Sequence, residues 1–134
     1  MADIRDRSLT LASCRFDWVF HGYDKLLDGK STFSDIDAVT VVNNHALLIE
    51  HKFMNREDKI PEIYSGQRKV YNHFLRDPNN DAWFIAGDME KSVPYYIEDL
   101  RNGLSVDLRG YSDIECRKYL KDVLHTWNQK AVKN

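Results

Sequence analysis

Three carboxylates and one amine recur at short intervals between residues 35 and 52. They are Asp35, Asp37, Glu50 and Lys52, and most of the residues between them are apolar. Carboxylate oxygens are preferred ligands of Mg²⁺, and a bound divalent cation can activate water for hydrolysis. A nearby lysine can position that water and hold a phosphate oxygen. These residue types predict metal-dependent phosphodiester cleavage; the alternative is a salt-bridged polar patch at a sheet edge.

The intervening residues predict a β-hairpin with a two-residue turn at Asn43-Asn44. Its flanking runs are rich in β-branched and aliphatic residues, and asparagine tolerates the positive φ angles of tight turns. In this hairpin Asp37 lies directly opposite Glu50 on one face, with the Cβ atoms about 4.5–5.5 Å apart. The two carboxylates should repel each other, so we expect either a bound cation or a protonated carboxyl group.

The same register places Asp35 opposite Lys52, so four functional groups share one end of one face. A four-residue turn would keep this register, whereas a three- or five-residue turn would send the carboxylates to opposite faces. Both faces of the hairpin are otherwise apolar, which predicts two central strands that are covered on both sides.

One further pattern gives this hairpin a family resemblance. Asp37 on one strand and Glu50-His51-Lys52 on the next resemble the signature of the PD-(D/E)XK nuclease superfamily. The proline in that signature is replaced here by Ile36. The resemblance implies an α/β fold of the restriction-endonuclease-like type, with an αβββαβ core and a mixed central sheet flanked by helices.

A second motif follows the hairpin, on a predicted helix. Gln67 and Tyr71 are four residues apart and therefore share one helix face. Their spacing resembles the QxxxY motif of RecB-type nucleases. Some of those relatives hold an iron–sulfur cluster with four cysteines, and this chain has only two cysteines.

The resemblance implies a role for each motif residue. Asp37, Glu50 and the backbone carbonyl of His51 would bind Mg²⁺ or Mn²⁺. Lys52 would position the attacking water and stabilise charge on the phosphate. Gln67 would orient the site or touch the nucleic-acid backbone.

Basic residues near these motifs predict the nucleic-acid contacts. Arg56, Arg68 and Lys69 form part of a local basic rim, and Tyr71 would pack or stack. We expect the partner to be DNA, although the net charge of −2 does not itself indicate a nucleic-acid binder.

Upstream of the hairpin, a helix is predicted from about Ser8 to Leu27. It carries Asp17 and His21 on a polar stripe, where either residue could complete the site or simply face solvent. The region from residue 29 to residue 34 is all that can supply the strand that the superfamily core has before Asp37.

Downstream elements follow from hydrophobic spacing and turn residues. The pattern predicts a helix from Pro61 to about Leu75, a strand at Ala82–Ala86 parallel to the Glu50 strand, short strands at Val93–Ile97 and Leu104–Leu108, and a last helix from the Ser112 capping box to about Trp127.

Length and composition predict one nuclease domain over residues 1–134. The chain has no apolar run long enough to span a membrane and no signal-peptide core, so we expect a cytoplasmic protein without a membrane partner. A chain this small could act as a homodimer or within a larger assembly. Two rival functions are a dimeric, structure-specific, resolvase-like endonuclease and a catalytically inactive nuclease-fold module that binds nucleic acid.

The register yields a prediction that separates the two aspartates. Asp35 lies opposite Lys52, whereas Asp37 lies opposite Glu50, so Asp35→Asn should reduce nuclease activity less than Asp37→Asn does. Both rates can be measured on one labelled DNA substrate with Mg²⁺. An inactive Asp35→Asn protein beside an active Asp37→Asn protein would reverse the assignment.

Overall fold

A computed structural model describes residues 36–133, which lie within one compact unit, Ser34–Asn134. The elements are β1 (Ala38–Val42), β2 (His45–Phe53), α1 (Ser65–Phe74), β3 (Asn80–Asp88), β4 (Val93–Asp99), β5 (Ser105–Asp107) and α2 (Asp113–Lys133). They form an α/β structure with one five-stranded mixed sheet in the order β1-β2-β3-β4-β5. Neither described helix is long and apolar enough to cross a membrane.

Several predictions concern residues outside the described range. These are the helix from Ser8 to Leu27, the strand at residues 29–34, and the roles of Asp17, His21 and Asp35. The extent of the nuclease domain over residues 1–134 likewise stays a prediction.

The predicted hairpin is confirmed, including its register. β1 and β2 are antiparallel, with Val42 paired to His45 and Ala38 paired to Ile49. Asn43 takes the positive φ of 53° that the turn requires. The Asn43 amide also donates a hydrogen bond to the backbone carbonyl of Ala131 in α2 at 2.9 Å, which ties the turn to the end of that helix.

One prediction about the hairpin is wrong. Both faces of β1 were expected to be covered, yet the side chains of Val39 and Val41 are exposed. Among the described strands, β1 pairs only with β2. An apolar run shows that a strand can be buried, but the elements that pack on the faces of the sheet decide whether it is. β2, by contrast, lies between β1 and β3 and is central as predicted.

The crossover from β2 through α1 to β3 is parallel, as predicted. Glu50 pairs with Phe84 and Lys52 with Ala86. The strand that carries Glu50 and Lys52 therefore lies beside β3, the most deeply buried strand of the described sheet. β3 and β4 each extend two residues or more beyond the predicted strands, and β5 is shorter than predicted.

The helix before β3 begins later than predicted. It was expected to start at Pro61, but α1 starts at Ser65, and Tyr64 has extended backbone angles of φ −65° and ψ 145°. Ile60 and Ile63 pack against the hydrophobic core, which holds this segment against the sheet without a helix. Proline fixes φ near −65°, a value that suits an extended segment as well as a first helical turn.

Helix α2 packs on the opposite face of the sheet from Glu50. Trp127 packs with Leu47 and Trp83, and its indole N–H donates to the Asp81 carboxylate at 2.9 Å. The capping box is confirmed, because the Ser112 hydroxyl and the Glu115 carboxylate bond each other and each other's backbone N–H groups. The helix continues to Lys133, beyond the predicted end at Trp127.

Two glycines make a matched test of this packing. Gly87 lies at an irregularity in the β3–β4 ladder, where a Cβ atom would collide with the backbone of Val93 and Pro94. Gly66 lies in the first turn of α1 with open space around it. In urea denaturation, Gly87→Ala should lower the free energy of unfolding by about 2 kcal/mol or more. Gly66→Ala should raise it by about 0.5–1 kcal/mol, and equal effects would contradict the packing.

Candidate functional site

Glu50 is the one charged residue that is buried among those the structure describes, with 4% of its surface exposed. Its two carboxylate oxygens are held separately. The Gln67 amide donates to Oε1 at 2.8 Å, and the Tyr71 hydroxyl donates to Oε2 at 3.1 Å. The two motifs that resemble a nuclease signature therefore meet at one carboxylate.

The geometry of α1 explains why both donors reach Glu50. Residues four apart lie on one face of a helix, so Gln67 and Tyr71 project together toward β2. Tyr71 is only 1% exposed and belongs to the hydrophobic core that it shares with Leu48 and Phe84. The apolar ring of Tyr71 thus seats the helix, while its hydroxyl group satisfies the buried carboxylate.

Asp37 approaches Glu50 from the exposed side. It directly precedes β1, one position beyond the last ladder pair, and its Oδ2 accepts a hydrogen bond from the backbone N–H of His51 at 2.9 Å. The side chain of His51 is exposed, as expected from strand alternation. The site consequently combines the buried carboxylate of Glu50 with the exposed carboxylate of Asp37.

The environment of Glu50 changes its proton affinity. The pKa of Glu50 is raised from its ordinary value of 4.5 to about 7. Burial is the largest cause, and the adjacent Asp37 contributes through hydrogen bonding and charge repulsion. The Tyr71 hydroxyl and the charge of Lys52 act in the opposite direction. The pKa of Tyr71 is also raised, chiefly because the hydroxyl group is buried. The charge of Glu50 and the hydrogen bond to it add to this rise, so the hydroxyl stays protonated and remains a donor.

Lys52 lies on the same face of β2 as Glu50 and is held by the segment that precedes α1. Its ammonium donates to the backbone carbonyl of Glu62 at 2.8 Å and lies 3.4 Å from the centroid of the Tyr64 ring. Two of its contacts are therefore made by one short stretch of chain. An ammonium has three N–H donors, so one can still bind another group.

The oxygen atoms around Glu50 suit a hard cation. Asp37 and Glu50 supply two carboxylates, and Oε1 of Gln67 is buried without a hydrogen-bond partner among the described residues. Among residues 36–133 no three His, Cys, Asp or Glu side chains form a group that could hold a metal. Mg²⁺ commonly uses only one or two protein carboxylates and retains several waters, so this donor set fits it.

The residues expected to contact nucleic acid have different environments. Arg56 donates to the carbonyl groups of Arg109 and Tyr111 and pairs with Asp113, so the fold uses its guanidinium group to hold the loop before α2. Arg68 pairs with Glu98 on β4 at 3.1 Å.

Lys69 and Tyr71 also differ from each other in their exposure to solvent. Lys69 is exposed, whereas the buried ring of Tyr71 has no surface on which a base could stack. Of the four residues proposed for nucleic-acid binding, Lys69 is thus the most accessible cation.

Two contributors to the site were missed by reasoning from sequence. The sequence pattern places Glu62 and Tyr64 in the first turn of a helix that begins at Pro61, and it does not indicate that either residue contacts Lys52. Ile60 and Ile63 fit an extended, core-packed segment as well as a helix, and no local pattern distinguished the two.

Comparisons with protein-family models, curated proteins and solved structures found no match to this chain.

The buried carboxyl group predicts how stability changes with pH. The folded state keeps the Glu50 proton up to a pKa of about 7, whereas the unfolded state loses it near 4.5. Without metal, the free energy of unfolding should therefore fall as pH rises from about 4.5 to about 7, by about 3 kcal/mol. Urea denaturation in EDTA at several pH values measures this change.

Glu50→Gln should remove most of that dependence, because the amide does not titrate and can still bond Gln67 and Tyr71. Glu57→Gln, which replaces an exposed carboxylate, is the matched control and should keep the wild-type dependence. A Glu50→Gln protein with the wild-type pH profile would contradict the assigned protonation.

Proposed function

We propose that this chain is a metal-dependent nuclease of the PD-(D/E)XK type that hydrolyses DNA phosphodiester bonds. The observation that carries the proposal is the buried Glu50 carboxylate, bonded on both oxygens by Gln67 and Tyr71 and adjacent to Asp37. The αβββαβ core and the nuclease fold are part of the same proposal.

Asp37, Glu50 and the backbone carbonyl of His51 would hold Mg²⁺ or Mn²⁺. When bound, such a cation would supply a Lewis acid and lower the pKa of a water that coordinates it. Two adjacent carboxylates without a cation repel each other or share a proton; the pKa of Glu50 is raised chiefly by burial, and Asp37 adds to the rise. Gln67 and Tyr71 keep the Glu50 oxygens in one orientation.

Lys52 supplies positive charge where the phosphate would lie. The Glu62 carbonyl and the Tyr64 ring hold its ammonium group, which leaves an N–H donor for a phosphate oxygen or for the attacking water. A donor that is already oriented stabilises developing charge without reorganising during the reaction. The entropy of the long lysine side chain is therefore lost in folding rather than on substrate binding.

The same residues would serve a dimeric, resolvase-like endonuclease. A catalytically inactive module would need neither the lysine nor the paired carboxylates, so the complete set favours catalysis. Digestion of labelled DNA and RNA substrates, single- and double-stranded, with Mg²⁺, Mn²⁺ or EDTA tests the proposal. Cleavage that continues in EDTA would contradict it.

The carboxylates should be essential for this activity. Asp37→Asn and Glu50→Gln should each abolish cleavage and weaken divalent-metal binding measured by calorimetry, because each removes a ligand. Circular dichroism would show that the variants remain folded. Wild-type cleavage by either variant would exclude that residue as a ligand.

Lys52 and Gln67 should behave differently from the ligands. Lys52→Ala should lose about 10²–10³ in rate but still bind metal, since an ammonium does not ligate a cation. Gln67→Ala should lose about tenfold, because a neutral amide contributes a weaker hydrogen bond. Lys59→Ala removes an exposed cation from the same connecting segment and should remain fully active. A fully active Lys52→Ala protein would favour the inactive module.

A further inference from the structure

The Tyr64 ring lies at the candidate site but outside the hydrophobic core. Tyr64 directly precedes α1 and is 71% exposed. The Lys52 ammonium lies over one face of the ring, 3.4 Å from the ring centroid. Single exposed hydrophobic side chains are common on protein surfaces, so the exposure of Tyr64 matters here only because its ring lies against the Lys52 ammonium. Its position beside Lys52 therefore needs a reason.

The second face of this ring is open to solvent. Lys52 covers one face, so the large exposed surface of Tyr64 must come from the other face and the ring edge. The backbone beneath the ring is restrained, because the Glu62 carbonyl accepts from Lys52 and the Tyr64 carbonyl accepts the first helical hydrogen bond from Arg68 at 2.9 Å. The ring thus offers a flat apolar surface on a restrained segment of backbone, beside the Lys52 ammonium.

We infer that Tyr64 stacks on an unpaired base next to the phosphate bound at Lys52, and that the substrate is single-stranded DNA or a single-stranded DNA end. This inference rests on the proposed function. Within a nucleotide one sugar joins the base to its phosphate, so a phosphate at Lys52 brings a base close to the ring. In a duplex the base faces stack on one another, whereas an unpaired base has a free face for an aromatic ring.

The charges along α1 are compatible with a strand that passes this ring. The first turn of the helix has no acidic side chain, and Lys69 is exposed on the same helix. A simpler role for Tyr64 is to position Lys52 through a cation–π contact. That role alone would affect the binding of single strand and duplex alike, because either polymer brings a phosphate to Lys52.

Binding measured in EDTA separates these roles. The probe is a fluorescently labelled single-stranded oligonucleotide, compared by anisotropy with the same oligonucleotide annealed to its complement. Wild type should bind the single strand more tightly than the duplex. Tyr64→Leu, which removes the ring, should weaken single-strand binding about tenfold but duplex binding by less than about twofold. Tyr64→Phe, which retains the ring, should bind the single strand within about twofold of wild type. An equal loss for both probes would contradict base stacking and leave only the positioning of Lys52.

Tyr111→Leu is the matched control. Tyr111 is also exposed, but it lines a cavity with residues of β5 and α2, so replacing its side chain should leave binding unchanged. Equal affinity of wild type for single strand and duplex, or undiminished single-strand binding by Tyr64→Leu, would overturn the inference. A protein that binds single strands through Tyr64 but cleaves no substrate with Mg²⁺ or Mn²⁺ would support the inference and contradict the proposed function.

Discussion

The buried carboxylate of Glu50 is the interaction on which the arrangement of β2 and α1 depends. An ionised group that is removed from water costs several kcal/mol unless hydrogen bonds or opposite charges compensate. Gln67 and Tyr71 provide one hydrogen bond to each oxygen, and the apolar part of Tyr71 fills the core beside it. The carboxylate thereby sets how α1 lies on the sheet, and the helix sets where the carboxylate points.

The remaining strain lies between Glu50 and Asp37. Burial and then the proximity of Asp37 raise the pKa of Glu50 to about 7, so without a cation the carboxyl group is only partly ionised near neutral pH. A site that is costly without a cation gains more when a cation binds, because binding relieves the repulsion. The repulsion between Asp37 and Glu50 lowers the stability of the fold, and the proposed metal binding would remove that cost.

The segment between β2 and α1 connects the sheet to the exposed side of the candidate site. Its beginning is anchored by the Met54 N–H, which donates to the Gly87 carbonyl at 2.9 Å, and its end holds Lys52 through Glu62 and Tyr64. A segment fixed at both ends can keep a flexible lysine in one orientation. The same restraint presents the Tyr64 ring to solvent, so positioning of charge and the inferred base stacking share one structural cause.

The sequence by itself determined features that depend on local geometry: the β1–β2 register, because side chains alternate with period two around a two-residue turn, and the shared face of Gln67 and Tyr71, because they are four residues apart on a helix. It also identified the Ser112 capping box. Only the tertiary structure decided that Val39 and Val41 on β1 are exposed, that α1 starts at Ser65, and that Arg56 and Arg68 pair with Asp113 and Glu98. Those outcomes depend on contacts between residues far apart in the chain, which no local pattern encodes.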